Sequence, residues 1–398
     1  MRVKVFLIIS GLTLAVLATP FAALSCIYPK DWQESVREAA KQGDVNAQFR
    51  LAVTLGLCPP DEATYWLRKA AEQGHAEAQL KLGRRYATGD GIECDMAQAL
   101  HWISMSAEQG NAEAQIWVEH KDDIAASSFK LASVEYAFGD PKAALRFRKA
   151  AELGHAEAQC KLGDCYVKGI GVSRDLNEAM RWYRRSAEQG HAEALLKQGI
   201  FYAEGIGGQK DWRAALRCFA KSAKQGNADA QYMLALAHID GEIVEKNMNE
   251  AMSWLSKSAE QGNKNAIERL FDMGVDFHEK KDFPAAASCY QVAANQGHAR
   301  AQAILGDCYL SGRGVEKDER QAVYWLRKAA EQDDSHAEFL LGNCYLSGTG
   351  VEENRLEGVR WLHRAAKQGN RTAFQALELL GIPFSDFSNF DILFPSQK

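Results

Sequence analysis

A glycine that returns every 36 residues inside a near-constant phrase constrains this chain more than any other feature. Gly154, Gly190, Gly226 and Gly262 stand 36 apart, as do Gly74 and Gly110, within AAEQGHAEAQ at Gly74, AELGHAEAQ at Gly154 and SAEQGHAEA at Gly190. A fixed period of this size marks stacked supersecondary units, each touching its neighbours, rather than one globular core. Residues 156–190 show how a unit folds. Ala158, Leu162, Cys165 and Tyr166 fall at i, i+4, i+7 and i+8, one stripe of a helix. Gly169-Ile170-Gly171-Val172 interrupts it, because glycine readily takes the positive φ that ends helices. A second stripe runs through Ala179, Met180, Trp182, Tyr183, Ser186 and Ala187, and Gly190 closes it. The unit is an αα-hairpin, and the chain holds about nine of them.

The repeats align with one another. Eight residues before the closing glycine stand Trp66, Trp102, Trp182, Trp254, Trp325 and Trp361; twelve after it stand Tyr86, Tyr166, Tyr202, Tyr309 and Tyr345. Recurring aromatic stripes at helical spacing predict core, and burying one tryptophan contributes roughly 5 kcal/mol before entropy is charged. Three units are irregular. The one at 45–74 is short and carries Cys58-Pro59-Pro60 in place of the glycine turn. That at 111–154 is stretched, with its extra segment near His120–Ala126, which reads as a loop. The unit at 263–297 loses the Leu-Gly-Tyr signature and the paired glycines. Asp333 stands where a closing glycine is expected.

Residues 1–25 differ in kind. Arg2 and Lys4 precede a 14-residue apolar run, Val5–Ala18, followed by small residues, the pattern of a secretory signal peptide. The run is too short to cross a bilayer core of ~30 Å, and no other segment approaches a membrane span. The mature chain is therefore expected to be exported, periplasmic or extracellular. Cleavage after Ala18 or after Ser25 fits; the second leaves Cys26 at the terminus, where lipidation would tether the protein to the outer membrane. Of nine cysteines, Cys165, Cys308 and Cys344 share one repeat position, and Cys218 and Cys289 replace the repeated tryptophan, so all five read as packing residues. Cys26 and Cys58 are the candidate disulfide if Cys26 is not lipidated. A net charge of -5 without a basic stripe argues against a nucleic-acid partner.

Taken together, the pattern A-x-x-x-L-G-x-x-Y-x-x-G-x-G-V…A-x-x-W-x-x-x-A-A-x-Q-G resembles the Sel1-like repeat, a relative of the tetratricopeptide repeat. Leu82-Gly83-Tyr86, Leu162-Gly163-Tyr166, Leu305-Gly306-Tyr309 and Leu341-Gly342-Tyr345 carry its first half, and Gly312-Arg313-Gly314-Val315 and Gly348-Thr349-Gly350-Val351 its central turn. The resemblance implies an all-α, right-handed αα-hairpin solenoid over residues 26–382 that binds a partner protein or peptide as a scaffold. By the same analogy, two rows on the first helix of each hairpin face the concavity. Leu80, Cys160, Leu196, Tyr232, Ala303 and Phe339 form one row; Arg84, Asp164, Ile200, Leu236, Asp307 and Asn343 form the other. Some exported members of the family act on the envelope or on host proteins, which is a second reading.

Catalytic signals are sparse. His75, His155, His191 and His298 all follow a closing glycine, so the repeat keeps them too far apart to share a metal. Ser127-Ser128-Phe129-Lys130 matches S-x-x-K, but the Lys-Thr/Ser-Gly element that β-lactam chemistry also needs is missing. A peptidoglycan or β-lactam binder with weak hydrolysis is the enzymatic alternative. No catalytic residue, metal or cofactor is expected. Phe384, Phe387, Phe390 and Phe394 crowd residues 383–398, which read as a cap over the terminal repeat, or as a segment lying in a groove.

Overall fold

The computed structural model describes residues 30–54 and 60–382. The expected signal peptide 1–25, the candidate Cys26–Cys58 disulfide, the expected lipidation at Cys26 and the aromatic segment 383–398 lie outside the described residues. All regular elements among the described residues are helices, and the chain divides into two units, residues 1–189 and 190–398.

The first unit contains α1 (Lys30–Lys41), α2 (Val45–Val53), α3 (Pro60–Glu72), α4 (Ala76–Thr88), α5 (Met96–Glu108), α6 (Ala112–Glu119), α7 (Lys121–Ala137), α8 (Lys142–Glu152), α9 (Ala156–Lys168) and α10 (Leu176–Glu188). The second contains α11 (Ala192–Glu204), α12 (Trp212–Lys224), α13 (Ala228–Asp240), α14 (Met248–Glu260), α15 (Lys264–Glu279), α16 (Phe283–Asn295), α17 (Ala299–Ser311), α18 (Glu319–Ala330), α19 (Ser335–Ser347), α20 (Arg355–Lys367) and α21 (Arg371–Leu379). Each hairpin pairs a first with a second helix, as α4 with α5, α9 with α10, α13 with α14 and α19 with α20.

Side chains at the repeat boundaries set where the helices begin. The repeated histidine is an N-cap: Nδ1 of His75, His155, His191 and His298 accepts from the backbone N–H three residues on, at 3.1–3.3 Å. Asn111, Asn227, Asn263, Asp334 and Asn370 do the same through an oxygen. Each offers an acceptor to one of the N–H groups that a helix start leaves without a partner. Asp333 keeps the left-handed turn of the glycine it replaces, with φ 62°.

The deepest core lies one residue past the tryptophan row. Leu67, Ile103, Phe147, Tyr183, Phe219, Leu255, Tyr290, Leu326 and Leu362 are all 0–2% exposed. Trp66, Trp182 and Trp325 are buried, whereas Trp102, Trp254 and Trp361 are half-buried. Tryptophans of this row lie beneath a cation from the same helix: Arg185 over Trp182 at 4.6 Å, Lys257 over Trp254 at 4.5 Å and Arg364 over Trp361 at 4.7 Å. The tyrosine row, expected in the core, is half-buried, with hydroxyls of Tyr86, Tyr166 and Tyr345 accepting from Arg68, Arg148 and Arg327. What the deep row presses against is the glycine of Leu-Gly. A Cβ at Gly306 would lie 2.7 Å from Leu326 Cγ, so the two helices meet this closely only without one.

Two irregular units depart from expectation. The stretch His120–Ala126 is not a loop: α6 ends at Glu119, His120 alone breaks the helix, and α7 continues to Ala137. Lys121–Ala137 contains no glycine or proline and is rich in alanine, so nothing in it stops a helix. In the unit at 263–297 the close-approach glycine survives in a new register. Gly274 meets Tyr290 sixteen residues on, not twenty, because α15 runs to Glu279 and reverses within Lys280–Asp282.

Candidate functional site

A shared frame leaves one helix face free to vary. Within hairpins, the serine four residues past the tryptophan locks the second helix to the start of the first: Ser106, Ser186, Ser222 and Ser258 donate to the carbonyls of Ala76, Ala156, Ala192 and Ala228 at 2.6–2.7 Å. A buried glutamine ladder runs beside it. Gln79, Gln159, Gln231 and Gln302 donate through Nε2 to a carbonyl eight residues back, and accept from Gln109, Gln189, Gln261 and Gln332. These bonds satisfy buried polar groups and fix the depth of each helix.

On this frame the predicted groove rows divide. Leu80, Cys160 and Leu196 are at most 5% exposed and offer almost no side-chain surface; Leu80 lies in one buried cluster with Ile103 and Ala114, and Leu196 in another with Leu216 and Leu234. Tyr232 and Phe339 in the same row are half-buried. Asp164 is buried as well and accepts from the Tyr183 hydroxyl at 2.8 Å. Arg84 is exposed and ion-paired with Glu113 at 2.7 Å. Ile200, Leu236, Asp307 and Asn343 are half-buried at the surface. Sequence reasoning missed the row three residues earlier, Lys81, Lys161, Lys197, Met233, Ile304 and Leu340, exposed at Lys81 and half-buried at the others. Residues three apart share a helix face, and this row passes from lysine at 81, 161 and 197 to Met233, Ile304 and Leu340. In the first unit the face reads Lys81 with Arg84. The second unit offers Met233 with Leu236, Ile304 with Asp307, and Leu340 with Asn343.

A second apolar surface lies on the irregular unit. Leu131 and Val134 on α7 and Phe138 at its C-cap are 54–85% exposed, with Leu145 and Ile116 also exposed. Ser127 and Lys130 sit on the same helix, both exposed. Burial pushes the thiols of Cys165, Cys308 and Cys344 up to about 11 and that of Cys289 up to about 12, which lowers their thiolate fraction near neutral pH.

The Sel1 repeat matches nine segments of the chain: 45–75, 76–111, 126–155, 156–191, 192–227, 228–263, 269–298, 299–334 and 335–370. The chain belongs to the Sel1 repeat family. Sel1 repeat proteins generally act as protein–protein interaction scaffolds. The breaks between matches, at 112–125 and 264–268, fall on α6 with the start of α7 and on the start of α15. Among solved structures, a protective antigen present in uropathogenic Escherichia coli strains and displaying an SLR fold is 34% identical, covering 88% of this chain and 77% of its own, with a TM-score of 0.41. A Sel1 repeat protein from Oxalobacter formigenes is 29% identical, covering 91% of this chain and 94% of its own, with a TM-score of 0.34. An immunity protein from Pseudomonas aeruginosa is 20% identical over 55% of this chain and 83% of its own, with a TM-score of 0.27. No curated protein matches. No described helix is long and apolar enough to cross a membrane.

Proposed function

We propose that this Sel1 repeat protein is an exported scaffold that grips a partner protein or peptide on the exposed face of its first helices. One observation carries the reading. Caps, serine locks, glutamine ladder and close-approach glycines recur among the hairpins, while one surface row passes from Lys81, Lys161 and Lys197 to Met233, Ile304 and Leu340 and the row at Arg84 to Asn343 mixes charged, aliphatic and amide side chains. In the second unit that face offers half-exposed aliphatic and aromatic side chains with single polar groups between them, a composition suited to an amphipathic segment. Export rests on the charge and length of residues 1–25. A factor acting on host proteins is the second reading, favoured by the 34%-identical relative, a protective antigen of uropathogenic strains.

Crosslinked capture from the native envelope fraction tests the scaffold, comparing wild type with Leu236→Asp and Leu340→Asp. A specific partner lost in both variants, with both still folded, supports the face; capture unaffected by either rejects it. Mass spectrometry of the mature N-terminus decides cleavage and the state of Cys26. Turnover of a chromogenic β-lactam that disappears in Ser127→Ala would replace the scaffold reading with a hydrolase.

A further inference from the structure

The glutamine ladder has one titratable rung. At the matching position of α19 stands Glu338, completely buried, whose Oε2 accepts from Gln368 at 2.8 Å as Gln159 accepts from Gln189. The other half of the rung differs. Gln48, Gln79, Gln159, Gln231 and Gln302 each donate Nε2–H to the alanine carbonyl eight residues back, at 2.9–3.2 Å. A carboxylate has no hydrogen to donate. The corresponding carbonyl, Ala330, instead takes a long 3.4 Å bond from Arg364 Nη2, a guanidinium also held by Asp333 at 2.7 Å. Arg364 Nε stands 3.0 Å from Glu338 Oε1, yet out of line for a hydrogen bond.

We propose that Glu338 is a proton-operated joint between α18, α19 and α20. Protonated at Oε1, it donates to the Ala330 carbonyl and reproduces the glutamine rung, releasing Arg364 to Asp333 and solvent. Ionised, it leaves Ala330 with the long arginine contact and depends on Arg364, itself 43% exposed, for its counter-charge. The charged groups facing it are Arg364 from α20, Asp333 from the turn after α18 and Asp334, the N-cap of α19. Arginine favours the carboxylate and the two aspartates oppose it. Burial dominates, and the Glu338 carboxyl is held up at about 7, far above the ordinary carboxylate range. Glutamine at this position in five other hairpins shows that the protonated shape fits the frame, so acid tightens the joint and mild alkali loosens it.

Hydrogen exchange of the full chain at pH 5.5 and pH 8, corrected for intrinsic rates, tests the joint against Glu338→Gln. In wild type, amides of 337–344 and 364–370 are expected to open about tenfold more readily at pH 8, while the matching amides of 158–165 and 185–191 do not change. Glu338→Gln should show the acid-state protection at both values. A pH response that persists in Glu338→Gln overturns the proposal, as does its absence in wild type. Side-chain carboxyl NMR gives an independent reading: a Glu338 titration in the ordinary carboxylate range also overturns it.

Discussion

Hairpins α9–α10 and α19–α20 are one design built twice with different chemistry. Gly163 and Gly342, Cys165 and Cys344, Trp182 and Trp361, and Gln189 and Gln368 hold matching positions. Against the glycine, however, one packs Tyr183 and the other Leu362. The tyrosine hydroxyl reaches Asp164, and burial first, then that carboxylate, push the phenol well above its ordinary range. Leucine needs no such partner, and Asn343 stays half-buried at the surface. His155 caps one first helix and Asp334 the other; the glutamine rung becomes Glu338; Lys161 on the face becomes Leu340. The shared positions hold backbones at a fixed separation. The divergent ones decide what each hairpin can sense or touch.

The sharpest break in this comparison comes from the deep row. Tyr183→Ala should cost about 3–5 kcal/mol and Leu362→Ala about 2–5 kcal/mol in denaturant unfolding, through the cavities they leave. Tyr183→Phe should cost about 1.5–3 kcal/mol, the loss of a hydrogen bond to the buried Asp164 carboxylate. Next in size is the rung. A folded-state carboxyl held at about 7, above its ordinary value of 4.5, stabilises below the ordinary value and loses that contribution as pH rises through 7. Glu338→Gln should therefore flatten the melting profile between pH 5 and 8 and stabilise at pH 8 by about 1–3 kcal/mol, the cost of a poorly satisfied buried group. Gln159→Glu, the reciprocal change, should import the pH dependence into α9–α10. Cap removal is smaller: His155→Ala and Asp334→Ala should each cost about 0.5–2 kcal/mol. The face residues come last. Lys161→Glu, beside the buried Asp164 carboxylate, and Leu340→Asp, half-buried against its hairpin core, should each cost about 1 kcal/mol, while Leu340→Asp alone weakens capture of a partner. Equal stability losses from face and deep row would erase the distinction between frame and surface.

Much of this was legible in the primary sequence. Hairpin pairing and glycine ends followed from the period, and the post-glycine histidines were correctly read as scaffold, but the period of about nine hairpins did not give the additional helix Lys30–Lys41 or the division at His120. The deep row was legible too, since every one of its nine positions carries a large aliphatic or aromatic side chain, but the conspicuous tryptophans drew attention one residue early. A helix stripe identifies a broad face, and one residue is a 100° rotation, enough to exchange core for rim. The same ambiguity chose Leu80, Cys160 and Leu196 as contact residues, although their side chains are buried. At His120–Ala126 a change in period was mistaken for a break in structure, although the residues themselves favour helix.

What local sequence determined is the succession of helices, because capping side chains and left-handed glycines act within a few residues of chain. Tertiary packing decided how far each helix is turned about its axis. Gly274 shows why: its partner Tyr290 is found by contact across the hairpin, at whatever separation the turn allows, and no repeat spacing specifies that contact. The acidity of Glu338 belongs to the same class, since only the folded array removes it from water and sets Arg364 and two aspartates beside it.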